Sequence, residues 1–513
     1  MTISTSNAPA GARPRAEVAP AARPPQGAPP PQAPPQAAAR ELPHTVWSRF
    51  IILMLCLAVV TTTLAFGTVH SWSLAVFALS AGVVVALWVM DAWRTRVLRV
   101  SKNFLQLPLL GLFAVGLVQL LPLGGAQGSG AAPLSFDPHA TRLVLVELAG
   151  LIVYFAAALA FIDSPRRLRL VARLVVVFGF LLGVYGLMQH FLNPTTIFWI
   201  RQPPQALPFG PYINRHHFAG YMELTLAMPL GLMFAGAVER ERMLLYAFAS
   251  AMMAIALVMT NSRGGILSMV CEILFLAALA ATVRRRGRRE EPEDPGARVR
   301  AAAARVGLGF AMIVAVFVGV LYFGGEDALS RLVGTANADD PTTGRAHFWQ
   351  GTVGIIKDHP VLGAGLGAFS AVYPRYDTAS GMYRLEQAHN DYLQILSDAG
   401  VVGGLLGLAF LVVLFRRGVR RMQSHDRLRR GVALGALAGC AGALVHSFFD
   451  FTLHTTANAL LFLLLAALAT ADGRVEEPDA PRRRRRRHHG ADAYVPGAHP
   501  AAGEKGRAAR AVG

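Results

Sequence analysis

Apolar runs separated by short polar gaps fill the chain from residue 47 to residue 471. They lie near 47–66, 72–90, 104–123, 142–162, 168–190, 217–237, 243–260, 264–283, 305–323, 399–415, 431–449 and 457–471. A helix needs roughly 20 apolar residues to cross a hydrocarbon core about 30 Å thick, and most of these runs reach or approach that length. The pattern predicts an all-α, polytopic integral membrane protein with about 12 transmembrane helices.

The gaps carry the orientation. DAWRTRVLRVSK (91–102), DSPRRLR (163–169), ERER (239–242), RRRGRREEPEDPGARVR (284–300) and RRGVRRMQSHDRLRR (416–430) are rich in arginine and fall at every second gap. Cytoplasmic loops of membrane proteins carry the excess of Lys and Arg, so both termini are expected in the cytoplasm. The remaining gaps, among them 191–216, 261–265, 324–398 and 450–456, then open on the periplasmic side, with 324–398 a large loop between helices 9 and 10.

Composition agrees: 53% of the 513 residues are apolar and 16% charged. The net charge of +18 sits in tails and alternate loops rather than on one folded face, which argues against a nucleic-acid partner. Residues 1–45, dominated by Pro and Ala, read as a disordered cytoplasmic tail, 46–471 as the membrane domain, and 472–513, with PRRRRRRHHG, as a disordered basic cytoplasmic tail suited to anionic lipid. Cys56, Cys271 and Cys440 fall inside apolar runs without the spacing of a disulfide framework or zinc site.

The largest polar interruption, Asp340 to Val402, draws the chemistry to the outer side. Within it, DDPTTGRAHFWQGTVGIIKDHP predicts a helix starting near Gly344, capped by Thr342 or Thr343, with Phe348, Trp349, Val353 and Ile356 on its apolar face. Arg345 falls in the first turn, where a cation opposes the helix dipole unless an anion lies in front of it. GAGLGAF (363–369) reads as a flexible turn, and EQAHNDYLQILSDAG places His389, Leu393 and Leu396 on one helical face beside Asn390. Elsewhere on the same side are the TNSRGG turn with Arg263 at its tip, NRHHFAGYMEL with Asn214, His216, His217 and Glu223, and HSFFDFTLH with His446, Asp450 and His454. No HExxH motif and no thiolate pair accompanies the histidines, so a catalytic metal is not expected.

NSRGG (261–265), TGRAHFW (343–349), HPVLGAGLGAF (359–369) and AHNDYLQILSDAGVVGG (388–404) together resemble the O-antigen ligase and polymerase superfamily of membrane glycosyltransferases, in motif order and over most of 47–471. The resemblance implies transfer of a glycan from undecaprenyl pyrophosphate to an acceptor hydroxyl at the periplasmic face of the inner membrane, without cofactor or metal. Arg263 and Arg345 would bind and stabilise the departing pyrophosphate. His389 would orient or deprotonate the acceptor. Asn390, Trp349, Asn214, His217, Asp450 and His454 would contribute to substrate binding. The acceptor stays open between a lipid A-core sugar, as in a ligase of lipopolysaccharide biosynthesis, and a growing O-antigen or exopolysaccharide chain, as in a polymerase. A membrane transporter is the rival of another class. Transporters place ionisable residues near the membrane midplane, whereas here Glu147 and Glu272 are the acids read as well inside apolar runs and the unusual residues gather at the outer surface.

Overall fold

The computed structural model describes residues 44–123, 132–204, 206–287, 345–378 and 384–471. The expected span at 305–323, residues 324–344 of the expected loop, the caps Thr342 and Thr343, and nearly all of both tails lie outside the described residues. Among the described residues the fold is helical, with two isolated bridges, Ile197 to Arg201 and Phe209 to Tyr212.

The principal helices are α1 (Val46–Leu64), α2 (Ser71–Thr95), α3 (Gln106–Gln119), α4 (Pro138–Phe161), α5 (Pro165–Leu192), α6 (Arg215–Phe234), α7 (Arg240–Met259), α8 (Arg263–Gly287), α9 (Arg345–Asp358), α10 (Asp391–Arg421), α11 (Arg427–His446) and α12 (Thr456–Thr470). Each expected span inside the described residues falls on one of them. Seven, namely α1, α2, α4, α5, α7, α10 and α11, are long and apolar enough to cross a membrane, and α3 and α12 are shorter apolar helices. Their starts are written in the sequence. Asp137 and Ser164 cap α4 and α5 just before a proline at the first helical position, and Asn214, Asn390 and Asp426 cap α6, α10 and α11 through their side-chain oxygens.

Helix α6 is buried almost throughout and packs chiefly on α11. The approach is close because Gly231 lies directly against the Gly435 backbone, the small-residue contact by which helices associate in lipid. This pairing brings the first turn of α6, the last turn of α11 and the first turn of α8 to one end of the bundle.

Two expectations need correction. The segment GAGLGAF is a docked strap rather than a flexible turn. Helix α10 breaks at Gly400, whose φ of 63° and ψ of −163° suit glycine alone, and the strap fills the break. Ala364 N and Gly365 N donate to the freed carbonyls of Ser397 (2.8 Å) and Asp398 (3.1 Å), while Val401 N donates to Pro360 O (2.8 Å). Gln119 of α3 ties both pieces together through Leu362 O, Asp398 O and Leu366 N.

The second correction concerns α9, whose apolar face is turned from the expected one. Gly351, Thr352 and Ile355 are buried, Phe348 packs against the same cluster, and Val353 is exposed. Gly351 and Gly354 leave recesses filled by the rings of Tyr373 and Tyr376, so packing against aromatics rather than hydrophobic periodicity sets the buried side.

Candidate active site

The helix ends gathered by α6, α8, α9 and α11 enclose an open cavity of about 280 Å³. Three arginines line it, Arg215 at the start of α6, Arg263 at the start of α8 and Arg345 at the start of α9, together with His216, Ser262, His446 and Asp450. Three guanidiniums at the positive ends of three helices make a strongly anion-selective surface. Arg263 is exposed and has no side-chain partner among the described residues.

Asp450 organises the wall. It is 1% exposed, its Oδ1 lies 3.1 Å from His389 Nδ1 and accepts from Phe451 N at 2.9 Å, and its Oδ2 lies 3.5 Å from Arg345 Nη2 and 3.9 Å from His216 Nδ1. Burial alone would push its carboxyl up, but the hydrogen bond from His389 and the charges of His216, His389 and His217 outweigh burial and hold it well below the usual carboxylate range. Asp450 also supplies part of the negative charge that the first turn of α9 asks for.

His389 precedes α10 instead of lying on it, which corrects the expected helical face shared with Leu393 and Leu396. Helix α10 starts at Asp391, and His389 has a left-handed φ of 50°, a conformation that costs energy for a residue other than glycine. The ring is held between Phe348 (centroids 6.0 Å apart) and Phe451 (4.8 Å), with Nδ1 on Asp450. Asp450 thereby fixes the ring so that Nε2 is the nitrogen left to meet a hydroxyl, the arrangement by which a carboxylate orients a general base.

The fold therefore brings Arg263, Arg345 and Asp450 to one cavity and attaches His389 through Asp450. Other expected residues stand elsewhere. Asn390 caps α10 by accepting from Tyr392 N and Leu393 N and donates to Phe448 O, and Asn214 caps α6. His217 is buried behind Phe451, its Nδ1 3.0 Å from Thr455 Oγ1. Trp349 does not line the cavity, and its indole N–H has no partner among the described residues. His454 pairs with Asp391 at 2.6 Å, a third exposed. Burial pulls its ring down, but the hydrogen bond and charge of Asp391 prevail and raise it.

Sequence reasoning missed Arg215 as a cavity residue. The signal was available, since Arg215 sits between Asn214 and the His216–His217 pair in NRHHFAGYMEL, but nothing in the linear sequence sets it beside Arg263 and Arg345. Among the described residues, no group of three or more His, Cys, Asp or Glu is placed to hold a metal ion.

Residues 248–408 match the family model described as O-antigen ligase. That segment contains Arg263, Arg345 and His389, while Arg215 and Asp450 lie on either side of it. The chain is also similar to the exopolysaccharide production protein ExoQ of Rhizobium meliloti (strain 1021), 26% identical over 159 residues, which is 29% of this chain and 34% of that protein. The match thus spans about a third of the curated relative's length. With helices long and apolar enough to cross a membrane, the chain is a multi-pass membrane protein whose residues 248–408 match the O-antigen ligase family model.

Proposed function

We propose that the protein is a glycosyltransferase of surface polysaccharide biosynthesis, moving a glycan from undecaprenyl pyrophosphate to an acceptor hydroxyl on the periplasmic side of the inner membrane. The observation that carries this reading is the set of three arginines on one cavity beside an Asp450-held imidazole. The acceptor oxygen attacks the anomeric carbon, the bond from that carbon to the phosphate oxygen breaks, and the pyrophosphate leaves on the lipid. Arg215, Arg263 and Arg345 bind the diphosphate and take up the charge that develops on it. His389 accepts the acceptor's proton. The alternation of arginine-rich loops supports this orientation, with both termini in the cytoplasm.

Ligase and polymerase differ only in the acceptor, a lipid A-core sugar or a growing chain. The similarity to a protein named for exopolysaccharide production favours the polymer-building version. A deletion strain separates them. Loss of a ligase leaves long glycan on the carrier lipid, and loss of a polymerase leaves single repeat units. Normal chain length together with normal surface attachment would remove both.

A further inference from the structure

The floor of the cavity is an imidazole backed by a carboxylate from within the helices, and the transfer described above uses neither. His446, the last residue of α11, lines the cavity. Its Nδ1 lies 2.8 Å from Glu223 Oε1 of α6, an ion-pair distance, and its Nε2 lies 3.5 Å from Ser262 Oγ. His446 is 1% exposed and Glu223 0%. A carboxylate so far from water is costly unless a cation faces it, and His446 is the partner at ion-pair distance among the described residues.

Polar groups lie between the two imidazoles on either side of the cavity. His389 Nδ1 meets Asp450 at 3.1 Å, the other Asp450 oxygen lies 3.9 Å from His216 Nδ1, His216 Nδ1 lies 2.9 Å from Ser262 Oγ, and Ser262 leads to His446. Ser262 holds this place because it immediately precedes α8, where its hydroxyl accepts from Gly265 N at 3.2 Å.

We propose that His446, kept as imidazolium by Glu223, is the general acid that protonates the departing phosphate oxygen. The proposal rests on the transferase reading. In the step, the acceptor oxygen bonds to the anomeric carbon, and the electron pair of the broken carbon–oxygen bond stays on the phosphate oxygen, which receives a proton from His446 Nε2. The acceptor's proton goes to His389. Release of that proton from His389 Nε2 to water and uptake of one by His446 Nε2 from the open cavity restore both rings, so the cycle neither gains nor loses protons. Glu223 is a positioning residue, since it acts only through His446.

The groups that bear on His446 are known by place. Glu223, His216 and His217 come from α6, Glu272 of α8 lies close enough to Glu223 for their charges to interact, and Asp450 and Asp391 act from the outer segments. Arg263 and Arg345 share the cavity, but arginine does not titrate in the working range.

The test is the pH dependence of kcat/KM for the full-length protein in lipid nanodiscs, with a lipid-pyrophosphate-linked glycan as donor. Wild type should give a bell whose alkaline limb reports the acid. Glu223→Gln keeps the shape and removes the charge, so the alkaline limb should move about one pH unit or more toward acid, costing roughly tenfold or more in rate on that side, while Glu223→Asp restores most of it. A Glu223→Gln profile that overlays wild type, or is lowered by the same factor at every pH, overturns the proposal and leaves a structural ion pair. Should the variants fail to insert, wild type decides: an alkaline limb supports the acid and a rate flat through alkaline pH refutes it. Failure of the transferase reading looks different, because Arg345→Ala or His389→Ala would then turn over normally.

Discussion

Replacing Asp450 by Asn removes one charge from the point where the site is tied together. The amide can orient in two ways. With its oxygen toward His389 and Phe451 N, its NH2 group faces Arg345 Nη2 and loses the 3.5 Å ion pair. With its NH2 toward His389, the Nδ1 contact at 3.1 Å survives only if that nitrogen becomes the acceptor, which puts the proton on Nε2 and disables the base. A hydrogen bond to a charged group contributes about 1.5–3 kcal/mol, so the first orientation predicts a fall in kcat of roughly 10- to 150-fold. The second, by analogy with carboxylate-to-amide changes in other His-dependent enzymes, predicts up to about 10⁴-fold. Stability should follow as well. The folded-state carboxyl of Asp450 is depressed, so its contribution is present above the unfolded value of about 3.9 and is lost as pH falls through the folded value. The Asn variant should therefore melt lower than wild type near neutrality, with the gap closing below about pH 4. The assays are glycan transfer by purified protein and thermal unfolding in detergent across pH. A variant that turns over within about threefold of wild type would refute the role given to Asp450.

His454 has a raised folded value through Asp391, so its stabilisation is complete below about pH 6.5 and is lost as pH rises through that raised value; Asp391→Asn should flatten this part of the melting-temperature profile, and an unchanged profile would contradict it. Gly231→Ala would drive a methyl into the Gly435 backbone, and should lower stability by about 1–3 kcal/mol, read as a loss of melting temperature or folded yield in detergent. A reporter fused after residue 380 should appear outside the cytoplasm and one fused after residue 292 inside, and one compartment for both would overturn the orientation.

The helices were legible because apolar runs of spanning length are local signals. Arg263, Arg345 and His389 were singled out by the motifs around them, and the structure brings the two arginines to one cavity with His389 attached through Asp450. The rest depends on what meets what. Asp450 reads as a substrate-binding candidate, and its place between His389 and Arg345 appears only where the starts of α9 and α10 meet the end of α11. Asn390 and Asn214 look like substrate ligands beside histidines, yet each caps a helix, a role their spacing to the following amides already allowed. The docking of 360–367 into α10 could not be read from GAGLGAF, because the partner carbonyls are freed only by the break at Gly400.

The central claim is that the arginine cavity and its tethered imidazole carry out transfer from a lipid pyrophosphate. Purified wild type, Arg345→Ala and His389→Ala, each confirmed to be folded, should be given an undecaprenyl-pyrophosphate-linked glycan and an acceptor glycan, and release of free undecaprenyl pyrophosphate followed. Wild type should release it in step with product, and both variants should fall by about 100-fold or more. Folded variants that release it at the wild-type rate would contradict the account.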